Sequence, residues 1–467
     1  MKKSPVKVQA FSLQRGEITA FLSLVFVLLI SFIATMLEST VVQVSKNQKR
    51  LIADNAIFSI FGEYQNELLK NYEILAIDCS YGTCSSNEQN LLDHMYYYGT
   101  AGMEHNIQGI QYLSDQKGHA FKEQALQYME QAYGISAVRE LVGKTDIWEE
   151  QELQGEEASQ RDQTVNRELD DFVKENQIIL PEEDNPLPLV EELKQSSILE
   201  LVLPEEFHLS AREIIPEEQA SGRNLRRGRG SFYVRQGMNG IEERLLFQEY
   251  LLKKFSNATD IKGENRSLSY ELEYMIGRKA SDAENLEMVI KKLLAIRFGI
   301  NYLYLQSDTK KQAEAEALAL TLSTLAGLPA VSAVVKQALL AAWAFGESVV
   351  DLRSLLSGKK AALMKSNENW QLSLSSLTTL GTEEDMQDGM NAEEGITYED
   401  YLRALLFLEN DDELTVKALD RVEQNMRTEE KKDTFCVDSC VVKLRLQNTA
   451  EIRRGLTYQF PVYFGYE

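Results

Sequence analysis

Residues Ile18–Leu37 read ITAFLSLVFVLLISFIATML, twenty in a row without a charge. As a helix this run is about 30 Å long, the thickness of a bilayer's hydrocarbon core. Thr19, Ser23, Ser31 and Thr35 do not spoil it, because a helical hydroxyl can bond back to a carbonyl one turn earlier. Lys2, Lys3, Lys7 and Arg15 precede the run and only Glu17 opposes them. Positive flanks stay in the cytoplasm, so the N-terminus reads as inside and the rest as outside. Lys46, Lys49 and Arg50 on the far side weaken that bias, and Glu38 and Asp54 partly offset them. A cleaved signal peptide has a shorter apolar core, about 7–15 residues, and a small-x-small cleavage site. Here the core is longer and Leu37-Glu38-Ser39-Thr40 is a poor site, so an uncleaved, single-pass anchor is expected.

From Glu38 to about Asn71 there is no proline, and Gly62 is the only glycine. Ile52, Ala56, Ile60, Tyr64 and Leu68 recur every four residues, with Ala53, Ile57 and Phe61 beside them. This is one apolar stripe on a helix and needs something to pack on. The simplest arrangement is one long helix, its first half in lipid and its second half buried in an extracytoplasmic domain. A separate helix after a short break is the alternative.

The 467 residues suffice for two or three domains, and 44% apolar content is ordinary for a packed protein. Net charge is −23. The first seventeen residues carry +3, leaving −26 for the remainder. Such a surface disfavours nucleic acid and anionic headgroups as ligands. The four cysteines form two close pairs, Cys79/Cys84 and Cys436/Cys440. An even number outside the membrane suggests disulfides, as local loops or as a bridge between the two ends of the chain. Free thiols and a metal site are the alternatives, though neither pair has the tight spacing of structural zinc. His94, His105, His119 and His208 form no ligand pattern, and HExxH, GxSxG, GxGxxG and the phosphate loop are absent. Aligning Gly389 with the sixth position of a calcium loop puts Met386 and Gly395 at ligand positions, so 383–394 reads as a solvated acidic loop. No cofactor, metal or catalytic residue is expected.

Along the chain, Tyr72–Asp78 suits a strand, Asn87–Tyr98 a helix and His105–Leu113 a second strand interrupted by Gly109. Phe121 to about Val142 reads as a helix. Between Asp146 and Glu218 stand 22 acidic and 5 basic residues with five of the eight prolines. This reads as a mobile connection with short docked pieces such as Leu187–Leu203. Arg223, Arg226, Arg227 and Arg229 follow, with an intramolecular partner as the simplest role and a binding patch or protease-sensitive loop as alternatives. Glu242 to about Leu356 is helical throughout, with Ser281–Glu284 as a capping box. Leu318–Val335 is uncharged, but Gly327–Pro329 interrupts it, so two buried helices are expected rather than a second span. Thr397–Asp400 is another capping box, and a helix covers about Glu413–Arg427. Cys440–Leu446 and Leu456–Phe460 alternate as a terminal hairpin.

The expected fold class is α+β, mainly helical. A transmembrane helix continues into a long amphipathic helix, the middle is helical, and a small antiparallel sheet includes the C-terminal strands. Those strands are expected to join the ones near Ile74 and Ile107 in one sheet on the N-terminal helix, bringing the cysteine pairs together. The divisions are a cytoplasmic N-terminus (1–17), the span (18–37), a long helix with mixed α/β structure (38–145), the acidic connection (146–230), a helical domain (231–430) and the hairpin (431–467).

Arg15–Leu24, Ala53–Ala56 and Phe61–Tyr72 resemble a family of uncharacterised membrane-anchored proteins of Gram-positive bacteria. The similarity extends to Asn185–Val190, Glu271–Ile276, Ala313–Leu320 and Gly327–Pro329. Members of that family are similar to minor-pilin-like proteins (the TadE/TadG-like kind) of tight-adherence (Tad) pilus systems. The resemblance implies a component of a pilus or secretion assembly at the cell envelope, and it carries over no catalytic residue. Pilins of these systems are cut after a glycine and carry glutamate at the fifth mature position. Here Gly16 is the available cut site, but Glu17 is first and Phe21 fifth, a departure that puts processing in doubt. Glu38, at the far end of the span, occupies a place where such proteins also tend to put an acid.

A non-enzymatic assembly protein of the cell membrane, its bulk extracytoplasmic, is therefore expected. Its partners would be the membrane and other assembly proteins, with no nucleic acid and no evident small-molecule substrate. A membrane-anchored binding module, with Tyr96–Tyr98 and Trp148 as exposed aromatics, and an envelope enzyme are the rival classes. Seventy-two acids make chance carboxylate pairs unavoidable, so acid pairs carry no signal here.

Overall fold

The computed structural model describes residues 13–83, 87–134, 138–176, 181, 184–233, 240–263, 265–385 and 387–466. Helix α1 (Leu13–Phe61) runs unbroken for 49 residues, so the anchor and the stripe behind it are one element. It stops earlier than the stripe suggested. The Gly62 N–H donates to the carbonyls of Phe58 and Ser59, closing the helix. Leu68 then belongs to a separate helix, α2 (Asn66–Tyr72), and to a different core. The strand expected over 72–78 shrinks to β1 (Ile77–Asp78), because Tyr72 closes α2 and Glu73 takes a left-handed φ of 58°.

Helix α3 (Glu88–Met95), capped by Asn87, leads through a π-turn into β2 (Met103–Tyr112). At the other end of the chain come β5 (Cys440–Glu451) and β6 (Thr457–Gly465). Strand β5 is the centre of one antiparallel sheet. Strand β2 pairs along one of its edges, from Met103↔Ala450 to Tyr112↔Val441. The other edge is shared by β1 (Ile77↔Val441) and β6 (Leu446↔Val462). The expected sheet is present, and it lies on α1. Ile107, Leu444, Leu446, Phe460 and Val462 pack against Ala53, Ala56, Ile57, Ile60 and Phe61. On the other face Glu104, Gln459 and Pro461 are exposed, the alternation expected of a sheet wet on one side. Gly109 marks a register shift in β2. A Cβ there would sit 3.0 Å from the Phe232 ring and 3.2 Å from the Arg229 carbonyl oxygen, so a neighbouring segment presses on the bulge.

Between these strands the chain builds a second, helical core. Helix α4 (Asp115–Tyr133) opens with Gln116, Lys117 and Gly118 all at positive φ, a left-handed turn that seats Gly118 against Leu419 and Thr415. After α5 (Arg139–Val142), helix α6 (Thr145–Asn176) occupies the stretch read as a mobile connection. Gly155 lets it approach closely: a Cβ there would meet the Ala295 carbonyl oxygen at 2.7 Å. Helices α7 (Leu187–Gln195) and α8 (Ile198–Val202) are the docked pieces. The body follows with α9 (Ile241–Lys254), α10 (Glu271–Gly277), α11 (Asp282–Ser307), α12 (Thr309–Leu325) and α13 (Ser332–Leu356). A two-stranded ribbon, β3 (Ala361–Ala362) with β4 (Gly395–Ile396), leads to α14 (Tyr398–Leu408) and α15 (Asp411–Thr428). Ser281 and Thr397 each form the expected capping box. The 318–335 run is two helices turned at Gly327, and the apolar window within Pro329–Leu356 is 78% buried, as in a core helix.

Candidate functional site

Among the described residues, the longest run of exposed large apolar side chains lies on α1. From Ile18 to Leu37 its side chains are exposed on every face: Phe21 65%, Phe26 64%, Leu28 62% and Phe32 62%. The hydroxyls are satisfied internally, since Ser23 donates to the Ala20 carbonyl, Ser31 to Val27 and Thr35 to Phe32, each at 2.8 Å. An apolar helix of this length, with its polar groups closed, is long and apolar enough to cross a membrane. Gly16 lies in its first turns, Glu17 is exposed just before the apolar run, and Glu38 is exposed just after it.

Beyond Glu38 the helix has two faces. One lies on the sheet: Lys46 Nζ stands 5.2 Å over the Tyr458 ring, Arg50 5.9 Å over Phe460, and the Phe61 ring 4.7 Å from Phe464. The opposite face leaves Val44 58% and Leu51 60% exposed outside the apolar span, and Phe58, 65% exposed, stands at its edge with its ring 5.7 Å from Phe464.

Polar clusters elsewhere serve the fold. Glu63, at the end of α1, accepts from the Tyr98 hydroxyl (2.6 Å) and the Tyr81 hydroxyl (3.0 Å), and lies 2.9 Å from His94 Nδ1. Its carboxylate is thus used to tie α1 to α3, beside a cavity of about 550 Å³ also lined by Gln65, Asp78 and Lys432. Of the exposed-aromatic candidates, Trp148 packs on Phe407 and Tyr98 on Glu63, while Tyr97 is exposed. In the helical core Arg297 donates to Asp351 Oδ2 (2.6 Å), and Lys365 donates to Asp351 Oδ1 (2.7 Å) and Glu347 Oε1 (2.5 Å). All four are fully buried at the side chain. Burial alone would push the Asp351 carboxyl up, but Arg297 and Lys365 outweigh it and hold the group below the ordinary range. Two acids and two bases leave this set neutral. Glu273, by contrast, faces no base: burial pushes its carboxyl up to about 7. Its Oε1 accepts from the Ala258 N–H and the Tyr398 hydroxyl.

Carboxylate oxygens of Glu423 and Asp438 and the Cys436 sulfur lie within 4.8 Å of one another, the spacing of a metal site. Arg223 already bridges Glu423 (2.5 Å) and Asp438 (2.8 Å), and Arg427 binds Glu423 (2.8 Å) and the Cys436 sulfur (3.1 Å). Two guanidinium groups occupy the place a cation would take, so these residues do not fit a metal. The arginine cluster has intramolecular partners: Arg223 as above, and Arg229 on Glu88 at 2.7 Å. The cysteines meet as expected at the sheet, where Asp78 pairs with Cys440 and the Cys79 N–H donates to the Ser439 carbonyl. No disulfide joins Cys79, Cys436 and Cys440 to one another, against the expected Cys436/Cys440 loop and the alternative of a bridge from Cys79 to that pair. Cys436 is held by Arg427 instead, and the buried Cys440 thiol points at the Cys436 carbonyl (3.4 Å). Cys84 lies outside the described residues.

No curated protein and no solved structure matches the chain. A family model does match, over residues 176–452, from the end of α6 through the helical core to the end of β5. More than half of the chain is covered, and the chain belongs to this family of unknown function, DUF5702.

Proposed function

We propose that the chain is a non-enzymatic, membrane-anchored component of an envelope assembly of the pilus or secretion type. Its N-terminus is cytoplasmic, its bulk is extracytoplasmic, and it works through α1. The observation that carries this reading is the single 49-residue helix, bare and apolar where it would cross the bilayer and the spine of a sheet where it leaves it. A rigid continuous helix couples events in the membrane to the outer domain, as a hinge would not. The charge of the flanks supports the orientation.

Crosslinking in intact membranes followed by pull-down tests the reading. Recovery of pilus or secretion platform subunits is expected. Recovery of none, with glycan or peptide turnover by the protein, overturns it. Mass spectrometry of the mature N-terminus tests the pilin comparison separately. A chain starting at Glu17 means processing at Gly16, and an intact Met1 or Lys2 means a plain anchor.

A further inference from the structure

The exposed side chains of α1 from the end of the apolar span onward are not scattered. Leu37, Val44, Leu51 and Phe58 are seven residues apart, and Val41, Gln48 and Asn55 fall between them at the spacing of the other core position of a heptad. All seven are exposed. Lys46, Ala53, Ala56, Ile57 and Ile60 meet the sheet from the other side of the helix, and of the seam residues Phe58 also reaches it, its ring 5.7 Å from that of Phe464. The same register runs back through the apolar span as Ala20, Ser23, Val27, Ile30 and Ala34, all exposed. In lipid, helices meet through small residues, which Ala20, Ser23 and Ala34 supply. In water they meet through large apolar ones, which Val44, Leu51 and Phe58 supply. The composition of one seam thus changes at the point where the solvent would change. The seam is about 58 Å long at helical rise.

We infer that α1 pairs in parallel with α1 of a second copy of this chain, as a two-stranded coiled coil continuous from the membrane into the outer domain. The inference rests on the membrane-anchored reading, because a shared bilayer makes two such helices parallel. Parallel pairing sets each core residue against itself, so Gln48 meets Gln48 and Asn55 meets Asn55. Amides at single core positions are the device that fixes register and strand number. Charge favours the same occupant. The chain carries −23, yet between Leu37 and Phe58 the seam and its flanking positions hold only Glu38 and Asp54. Two copies repel over most of their surface and meet without repulsion along this strip. A strict seven-residue repeat on a 3.6-residue helix also requires left-handed supercoiling about a partner.

Cysteine scanning of the full chain in its own membrane tests this, with the parent chain as background for its native thiols. Leu51→Cys and Val44→Cys are expected to give a covalent dimer on mild oxidation. Gln43→Cys, exposed but off the seam, is expected to stay at background. All three positions are exposed, so none of these changes should disturb folding. Protein that stays in the membrane but gives no dimer at 44 or 51, or an equal yield at 43, overturns the pairing and leaves the anchor standing. Crosslinks from 44 and 51 only to a different chain overturn it equally. Protein found outside the membrane overturns the anchor reading itself.

Discussion

Glu273 and Asp351 are both fully buried acids, and their neighbours give them opposite behaviour. Asp351 has Arg297 and Lys365, stays charged, and holds α11 to α13. Asp351→Asn leaves the buried Arg297 without its carboxylate and Lys365 with Glu347 alone, and should cost about 3–5 kcal/mol, read by chemical denaturation. Glu273 has no cation, and its folded pKa of about 7 lies above the value for an unfolded glutamate. The folded state then binds more protons than the unfolded state between the two values, so stability falls as pH rises from about 4.5 to about 7. Glu273→Gln keeps an acceptor for the Ala258 N–H and the Tyr398 hydroxyl. It should remove that slope and raise neutral-pH stability by roughly 2–3 kcal/mol. An unchanged pH profile in E273Q would refute the assignment. Neither environment could be read from the sequence, where these are two acids among 72.

The elements written in apolar periodicity or capping chemistry were legible. The continuity of α1, the joining of the terminal strands to those near Ile77 and Ile107, and the boxes at Ser281 and Thr397 follow from local patterns that tertiary packing reinforces. Helix α6 was not legible. Its inward stripe is Trp148, Gly155, Ala158 and Leu169, too small and sparse to stand out among the acids around it. Glycine normally weakens a helix by about 1 kcal/mol, so Gly155 reads as linker until Gly299 is seen opposite, where a Cβ would stand 2.8 Å from the Gly155 Cα. Gly155→Val should therefore cost about 1–3 kcal/mol and open α6 to proteolysis ahead of the rest of the molecule. Cleavage at the parent rate would show that α6 is not held there. Gly62 as the end of α1 was also missed, because the stripe continues on paper through Leu68 while the chain turns beneath it. Helix α13 makes the converse point: it is apolar enough for a span, yet packed. A membrane-impermeant thiol reagent should label Leu325→Cys, at the 70% exposed end of α12, as readily as an outer-domain control. Protection of that site alone would place the 318–335 run in lipid.

At the scale of the whole molecule, two cores share one chain. The sheet rides on α1 and the helical body is inserted between β2 and β5, so an acidic mass is carried on a rod whose far half is bare. The family model covers the body from the end of α6 onward and β5, but neither α1 nor β6. The candidate site thus lies in the part of the chain where the pattern was plainest, whereas its periodic face beyond the apolar run became evident only once the sheet showed which side of α1 is taken. Carbonate extraction combined with protease treatment of intact protoplasts tests the central claim most directly. The account predicts that the full chain stays in the membrane pellet, that a chain starting at Glu38 is released, and that external protease removes the head without lysis. A full-length chain released by carbonate, or a head that survives protease until the cells are opened, would contradict it.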